Sequence, residues 1–67
     1  MRMYFFHIVG GTVRRPDING TYCQDEARAR EVASRLARDL SEQDRHEGAQ
    51  VEVVDEDGKE IWRVPVL

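Results

Sequence analysis

Few side chains in this chain could do chemistry, and their spacing works against it. The soft metal ligands are Cys23, His7 and His46. They lie far apart, with no Cys-x-x-Cys or His-x-x-x-His pair, whereas a structural zinc site normally takes four ligands. No metal or other cofactor is expected. Asp17-x-Asn19-Gly20 and Asp55-x-Asp57-Gly58 each resemble part of a calcium loop. A full loop needs an oxygen ligand two residues before the first of these acids and a bidentate glutamate six residues after the glycine. Arg15 and Glu26 hold those places in the first stretch, Val53 and Val64 in the second. Both stretches therefore read as turns, for which Asn-Gly and Asp-Gly are strong dipeptides. Ser34, Ser41, Thr12, Thr21 and Cys23 offer nucleophilic atoms, but none has a histidine and an acid nearby in a recognisable order. So short a chain also builds no deep pocket, and no enzymatic activity is expected.

Arginine is the other chemically suggestive residue. Arg28, Arg30, Arg35 and Arg38 make a basic edge on a helical stretch, and Arg14 and Arg15 lie in the segment before it. Phosphate recognition through these groups is the alternative function to weigh. Glu26, Glu31 and Asp39 are interleaved with the helical arginines. Residues 1–38 hold seven basic and four acidic side chains, but residues 39–60 set only Arg45 and Lys59 against nine acids, and the net charge is −3. Nucleic-acid domains usually show a dense basic face, because counterion release drives their binding. Nucleic acid is accordingly an unlikely partner on charge grounds.

Sixty-seven residues make one domain, spanning 1–67. A chain of this size buries only about 60% of its unfolded surface and is marginally stable alone. Small folds compensate with disulfides, metals or a partner subunit. The lone cysteine rules out an intrachain disulfide, which leaves a second copy as the accessible source of stability. There is no signal-peptide pattern at Met1-Arg2-Met3 and no apolar run near the ~20 residues that span a bilayer. The expectation is a soluble cytoplasmic protein without membrane contact.

The elements that must position any site are well punctuated. Residues 3–9 are aromatic and β-branched and read as a strand. Gly10-Gly11 suits a two-residue turn, which would set Val13 opposite Ile8 and Arg14 opposite His7. Pro16 ends that pairing, Asp17-Ile18-Asn19-Gly20 turns the chain, and Thr21-Tyr22-Cys23 resumes a strand. Asp25 caps a helix over 25–46, with Ala29, Val32, Ala33, Leu36 and Leu40 as its apolar stripe. His46 and Gly48 suit its end. Glu26–Arg30, Glu31–Arg35 and Arg38–Glu42 are spaced to pair along its surface. A hairpin over 51–66 turns at Asp57-Gly58, setting Val51 opposite Val64, Glu52 opposite Arg63, Val53 opposite Trp62 and Val54 opposite Ile61. The expected fold is α+β, in the order strand–strand–helix–strand–strand. Its four-stranded, mostly antiparallel sheet carries the helix on one face, and a short crossover can set the third strand beside the first.

Alternation divides the sheet residues between two faces. Tyr4, Phe6, Ile8, Val13, Val51, Val53, Trp62 and Val64 should lie under the helix, with Trp62 buried near Leu36. Phe5, His7, Val9, Val54, Ile61 and Arg63 should lie on the open face. An uncovered face this apolar marks an interface. The expected function is a small protein-interaction module that self-associates as a homodimer through those six residues. With His7 beside Arg63, protonation of the histidine would loosen such a dimer.

The run Tyr4-Phe5-Phe6-His7, then Gly11, Asp17-Ile18-Asn19-Gly20, Asp25 heading an alanine-rich helix, residues 51–58 as Val-Glu-Val-Val-Asp-Glu-Asp-Gly, and Trp62-Arg63-Val64-Pro65 resembles the domain of unknown function 6894 family. The resemblance spans almost the whole chain. It implies a short stand-alone bacterial protein and no particular activity. The family commonly carries aspartate where His7 stands here.

Overall fold

A computed structural model describes residues 1–43 and 48–67. The elements run β1 (Arg2–Gly10), β2 (Val13–Arg15), β3 (Thr21–Cys23), α1 (Glu26–Ser41), β4 (Gln50–Val54) and β5 (Glu60–Pro65). The sheet order is β2-β1-β4-β5, and β3 pairs with the remaining length of β1 at Arg2, Met3 and Tyr4. Every pairing is antiparallel. The α+β class and the element order are as the sequence indicates, and the crossover through α1 does set β4 beside β1. The resumed strand at Thr21–Cys23 counts as a fifth strand.

Alternation along β1 and β4 builds the core. Tyr4, Phe6 and Ile8 point to the helix side and are buried, as are Val51 and Val53 across from them. Ala29, Ala33, Ala37 and Leu40 form the underside of α1. The alanines let the helix backbone approach the sheet closely, and Val51 and Val53 are fully excluded from solvent. Val32 and Leu36 pack at the flank of this cluster. Val66 joins the core beyond β5, where its N–H donates to Ala49 O at 2.9 Å.

Asp25 caps the helix as expected, its Oδ1 accepting from Arg28 N at 2.9 Å. Glu26 pairs with Arg30 at 2.9 Å, but Glu31 turns to Arg28 at 3.0 Å rather than to Arg35. The helix stops at Ser41, because its apolar stripe ends at Leu40 and the next turns have nothing to bury. The proposed role of His46 at the helix end lies outside the described residues.

Both turns differ in detail from the sequence expectation. In the first hairpin Gly10 remains in the strand, opposite Val13, so Val9 faces Arg14 and Ile8 faces Arg15. Gly11 and Thr12 make the turn. The reason is close approach: a Cβ on Gly10 would lie 2.6 Å from Gly48 O, so this glycine serves packing at φ 114°. In the second hairpin the expected register holds for Val51–Val64, Glu52–Arg63 and Val53–Trp62, but Val54 faces Glu60 and Ile61 is the extra residue of a bulge. Gly58 N donates to Asp55 O at 3.0 Å and Asp55 N to Lys59 O at 2.9 Å, which closes a three-residue loop. Gly58 takes positive φ at the end of that loop. The left-handed Gly58 and Lys59 form the bulge usual for a three-residue loop, which shifts the pairing by one, and the separate bulge at Ile61 shifts it back. Glu56 therefore reaches Arg2, at 3.5 Å, and not Lys59.

The expectation for Trp62 also fails. It lies on the helix side, opposite Val53, but β5 is an edge strand and the indole remains 36% exposed. The guanidinium of Arg30, not Leu36, covers it, 4.5 Å from the ring centroid.

Candidate functional site

The sheet face away from α1 is built from alternate residues of three strands. Phe5, His7 and Val9 of β1 stand opposite Val54, Glu52 and Gln50 of β4. Arg63 of β5 stands opposite Glu52 and reaches it at 3.2 Å, while also bonding Glu60 at 2.9 Å. The Glu60 bond and its charge push Arg63 above its ordinary value. A polar row of His7, Glu52 and Arg63 thus crosses the face, and Phe5 with Val54 and Val9 with Gln50 flank it. Phe5 and His7 stack at 6.4 Å, nearly parallel. Phe5, His7, Val9 and Val54 are each half-buried. Ile61 is half-buried too, but as the bulge residue it packs against the core cluster. Glu52 stands between His7 and Arg63, so the direct like-charge contact expected between those two is not formed.

The β2–β3 connection organises one side of this face. β2 pairs with β1 at residues 8–10 and β3 at residues 2–4, which leaves Phe6 N–H between them without a strand partner. Asp17 supplies one: its Oδ2 accepts from Phe6 N at 3.1 Å, and its Oδ1 accepts from Asn19 N at 3.1 Å and Gly20 N at 3.0 Å. Burial raises the Asp17 carboxyl, but the bonds from Gly20, Phe6 and Asn19, with the nearby His7, outweigh it and hold the group below its ordinary value. Asp17 N in turn donates to His7 Nδ1 at 2.9 Å, so the neutral imidazole carries its proton on Nε2. Asp55 acts similarly in the second hairpin, its Oδ1 accepting from Asp57 N and Lys59 N, both at 2.9 Å. The two calcium-like stretches are side-chain-capped turns whose carboxylates face backbone N–H groups.

The loop so fixed leaves two features that the sequence reading did not single out. Ile18, at its tip, is 84% exposed, and Tyr22 on β3 is 64% exposed. Between the loop and α1 lies an open cleft of about 500 Å³, floored by Phe6 and Ile8 and walled by Val32 and Leu36. Arg15 and Arg35 stand at its rim with Asp17, Asn19 and Asp39. The strand break at Pro16 and the exposed isoleucine beside it were the available signals. Cys23 is a buried free thiol, and burial pushes its pKa up, which makes it a poor nucleophile. Among the described residues no group of histidine, cysteine and acidic side chains is placed to hold a metal ion, and no helix is long and apolar enough to cross a membrane.

Comparison with known proteins places the chain in one family. The family model of the domain of unknown function DUF6894 matches residues 3–67, and the chain belongs to that family. No curated protein and no solved structure matches it.

Proposed function

We propose that this domain is a small protein-interaction module that self-associates through the sheet face opposite α1. The observation that carries the reading is the composition of that face. The helix packs on the other face and leaves Phe5, Val9 and Val54 half-buried, and the row between them holds both signs of charge, Glu52 and Arg63. Two copies related by a two-fold axis would bury the same patch twice, and a patch with both charges is able to complement itself. The small core gives self-association a thermodynamic motive. A cytoplasmic setting suits the buried free thiol of Cys23.

Light scattering coupled to size exclusion tests the reading. A dimer at high micromolar concentration that Val54→Glu or Val9→Glu converts to a folded 7.8 kDa monomer supports it. A parent that is monomeric at that concentration overturns it. A dimer that both variants leave intact would move the contact to the free edge of β5.

A nucleic-acid role is the alternative. Arg14, Arg15, Arg35 and Arg38 form no ion pair among the described residues, so their charges are available to phosphates. Binding that weakens steeply with added salt would favour this reading.

A further inference from the structure

We propose that the bond from Asp17 N–H to His7 Nδ1 is a proton-operated latch on the β2–β3 connection. Protonation of His7 releases the Asp17 N–H and lets residues 16–18 pivot. The latch is internal to one chain and does not depend on self-association.

The interrupted strand explains why a side chain holds this bond. The pairing of Ile8 with Arg15 sets position 16 opposite His7. Pro16 stands there and has no N–H to give. The next N–H, that of Asp17, donates instead to His7 Nδ1 at 2.9 Å. A second tether leaves the same residue through its side chain, whose carboxylate accepts from Phe6 N, Asn19 N and Gly20 N. Gly20 ends the connection where Met3 and Phe5 leave no room for a Cβ. Ile18 is 84% exposed and adds little packing of its own. Losing the backbone tether therefore leaves the connection hinged on the carboxylate.

The chemistry of the ring makes the latch two-state. A neutral imidazole with its proton on Nε2 accepts at Nδ1, whereas an imidazolium carries a proton on both nitrogens and accepts nothing. Two N–H groups facing each other at this distance repel, so the ring must turn. A half-turn takes Nδ1 away from Asp17 N and keeps the near-parallel stack on Phe5. The charged groups around the ring are Asp17 in the connection, Arg14 on β2, Glu52 across on β4 and Arg63 beyond it on β5. Arg63 is already taken by Glu52 at 3.2 Å and Glu60 at 2.9 Å. The carboxylates of Glu52 and Asp17 can each accept from the turned imidazolium, so protonation exchanges one bond for another and does not unfold the chain. Histidine ordinarily changes charge between about pH 5 and 8. The Asp17 carboxyl, held below its ordinary value, keeps its own bonds through that window.

Nuclear magnetic resonance from about pH 8 down to about pH 5 tests the latch. The amides of Asp17 and Ile18 should move in one step with the His7 ring signals, and the ring should carry its proton on Nε2 above that step. Hydrogen-exchange protection of the Asp17 amide, corrected for the intrinsic rate, should fall about fivefold to tenfold across it, as for the loss of one ordinary hydrogen bond. Phe6, bonded to the carboxylate, should keep its protection. His7→Asn offers a side-chain oxygen at the reach of Nδ1 and does not titrate, so its Asp17 amide should stay protected with no step. His46→Asn, which removes the other histidine, should leave the step in place. Should His7→Asn not fold, the parent's Asp17 and Phe6 protection decides alone. A proton on Nδ1 at neutral pH, an Asp17 shift without loss of protection, or a step that survives in His7→Asn overturns the proposal. So does a step whose midpoint moves with protein concentration, which would assign it to contacts between copies.

Discussion

Replacing Asp17 by alanine removes one side chain and unties three backbone groups. The half-buried Phe6 N–H loses its only partner in the gap between β2 and β3, at about 1–3 kcal/mol for a donor left unsatisfied. The Asn19 and Gly20 N–H groups are reached more easily by water and contribute about 0.5–1 kcal/mol each. The sum is about 2–5 kcal/mol, against a total stability of roughly 3–10 kcal/mol for 67 residues at the usual per-residue value. In a domain this small each kcal/mol moves the melting temperature by about 4–8 °C, so Asp17→Ala should melt at least about 8 °C below the parent. Circular dichroism of the thermal transition reads this directly. Acid adds a second arm. The folded Asp17 carboxyl lies below its ordinary value, so its contribution is complete above the unfolded value and is lost as pH falls through the folded one. The difference between parent and variant should therefore hold above about pH 5 and narrow below about pH 4. A variant melting within about 3 °C of the parent at neutral pH would refute the bridging role of the carboxylate.

Four further outcomes follow. Gly20→Ala should cost about 1–3 kcal/mol by denaturant titration, since residue 20 has φ 73° and a Cβ there would meet Met3 Sδ at 2.6 Å and Phe5 Cε2 at 2.9 Å. Gly58→Ala, with φ 83° but open space around it, should cost only the backbone share of about 1–2 kcal/mol; equal losses at the two sites would discount the contact with Met3 and Phe5. Trp62→Ala should cost about 1–2 kcal/mol in the same assay rather than the ~3–5 of a fully buried aromatic, because the indole is partly exposed under Arg30. Fluorescence anisotropy with labelled duplex DNA or RNA should show no binding at physiological salt, and tight salt-sensitive binding would instead make Arg14, Arg15, Arg35 and Arg38 phosphate contacts.

What the sequence made legible was whatever alternation and capping dictate. The division of β1 into Tyr4, Phe6, Ile8 and Phe5, His7, Val9 follows from period two, and the structure buries the first set. The N-cap at Asp25 follows from a local hydrogen bond. What was hidden depends on groups distant in the chain. Gly10 looks like a turn residue until the Gly48 carbonyl is placed against it. Ile61 looks paired until a bulge beyond the Asp55 loop takes it out of register. Trp62 has the right face and the wrong depth, because its strand is an edge and the helix covers it with the Arg30 side chain rather than with apolar residues. The cleft was invisible for the same reason: Phe6, Ile8, Val32 and Leu36 each read as core, and only the path of residues 16–20 leaves a gap above them.

The turn and cap residues have structural work that accounts for their types. Asp17 and Gly20 bridge an interrupted strand, Gly11 turns the first hairpin, Asp55 and Gly58 close the second, and Asp25 starts the helix. A chain carrying these residues is told how to fold and nothing about what to bind. Specificity then has to come from side chains that these tasks leave free. On the open sheet face these are Phe5, Val9 and Val54, with the Glu52–Arg63 pair between them. Joining two such faces would stabilise a small core and set the charged rows against each other. The stability of such a pair depends on protein concentration by mass action. The parent should therefore melt at a higher temperature in a concentrated sample than in a dilute one, and Val54→Glu should abolish that dependence. A parent whose melting temperature does not move with concentration would show that the open face adds nothing to stability.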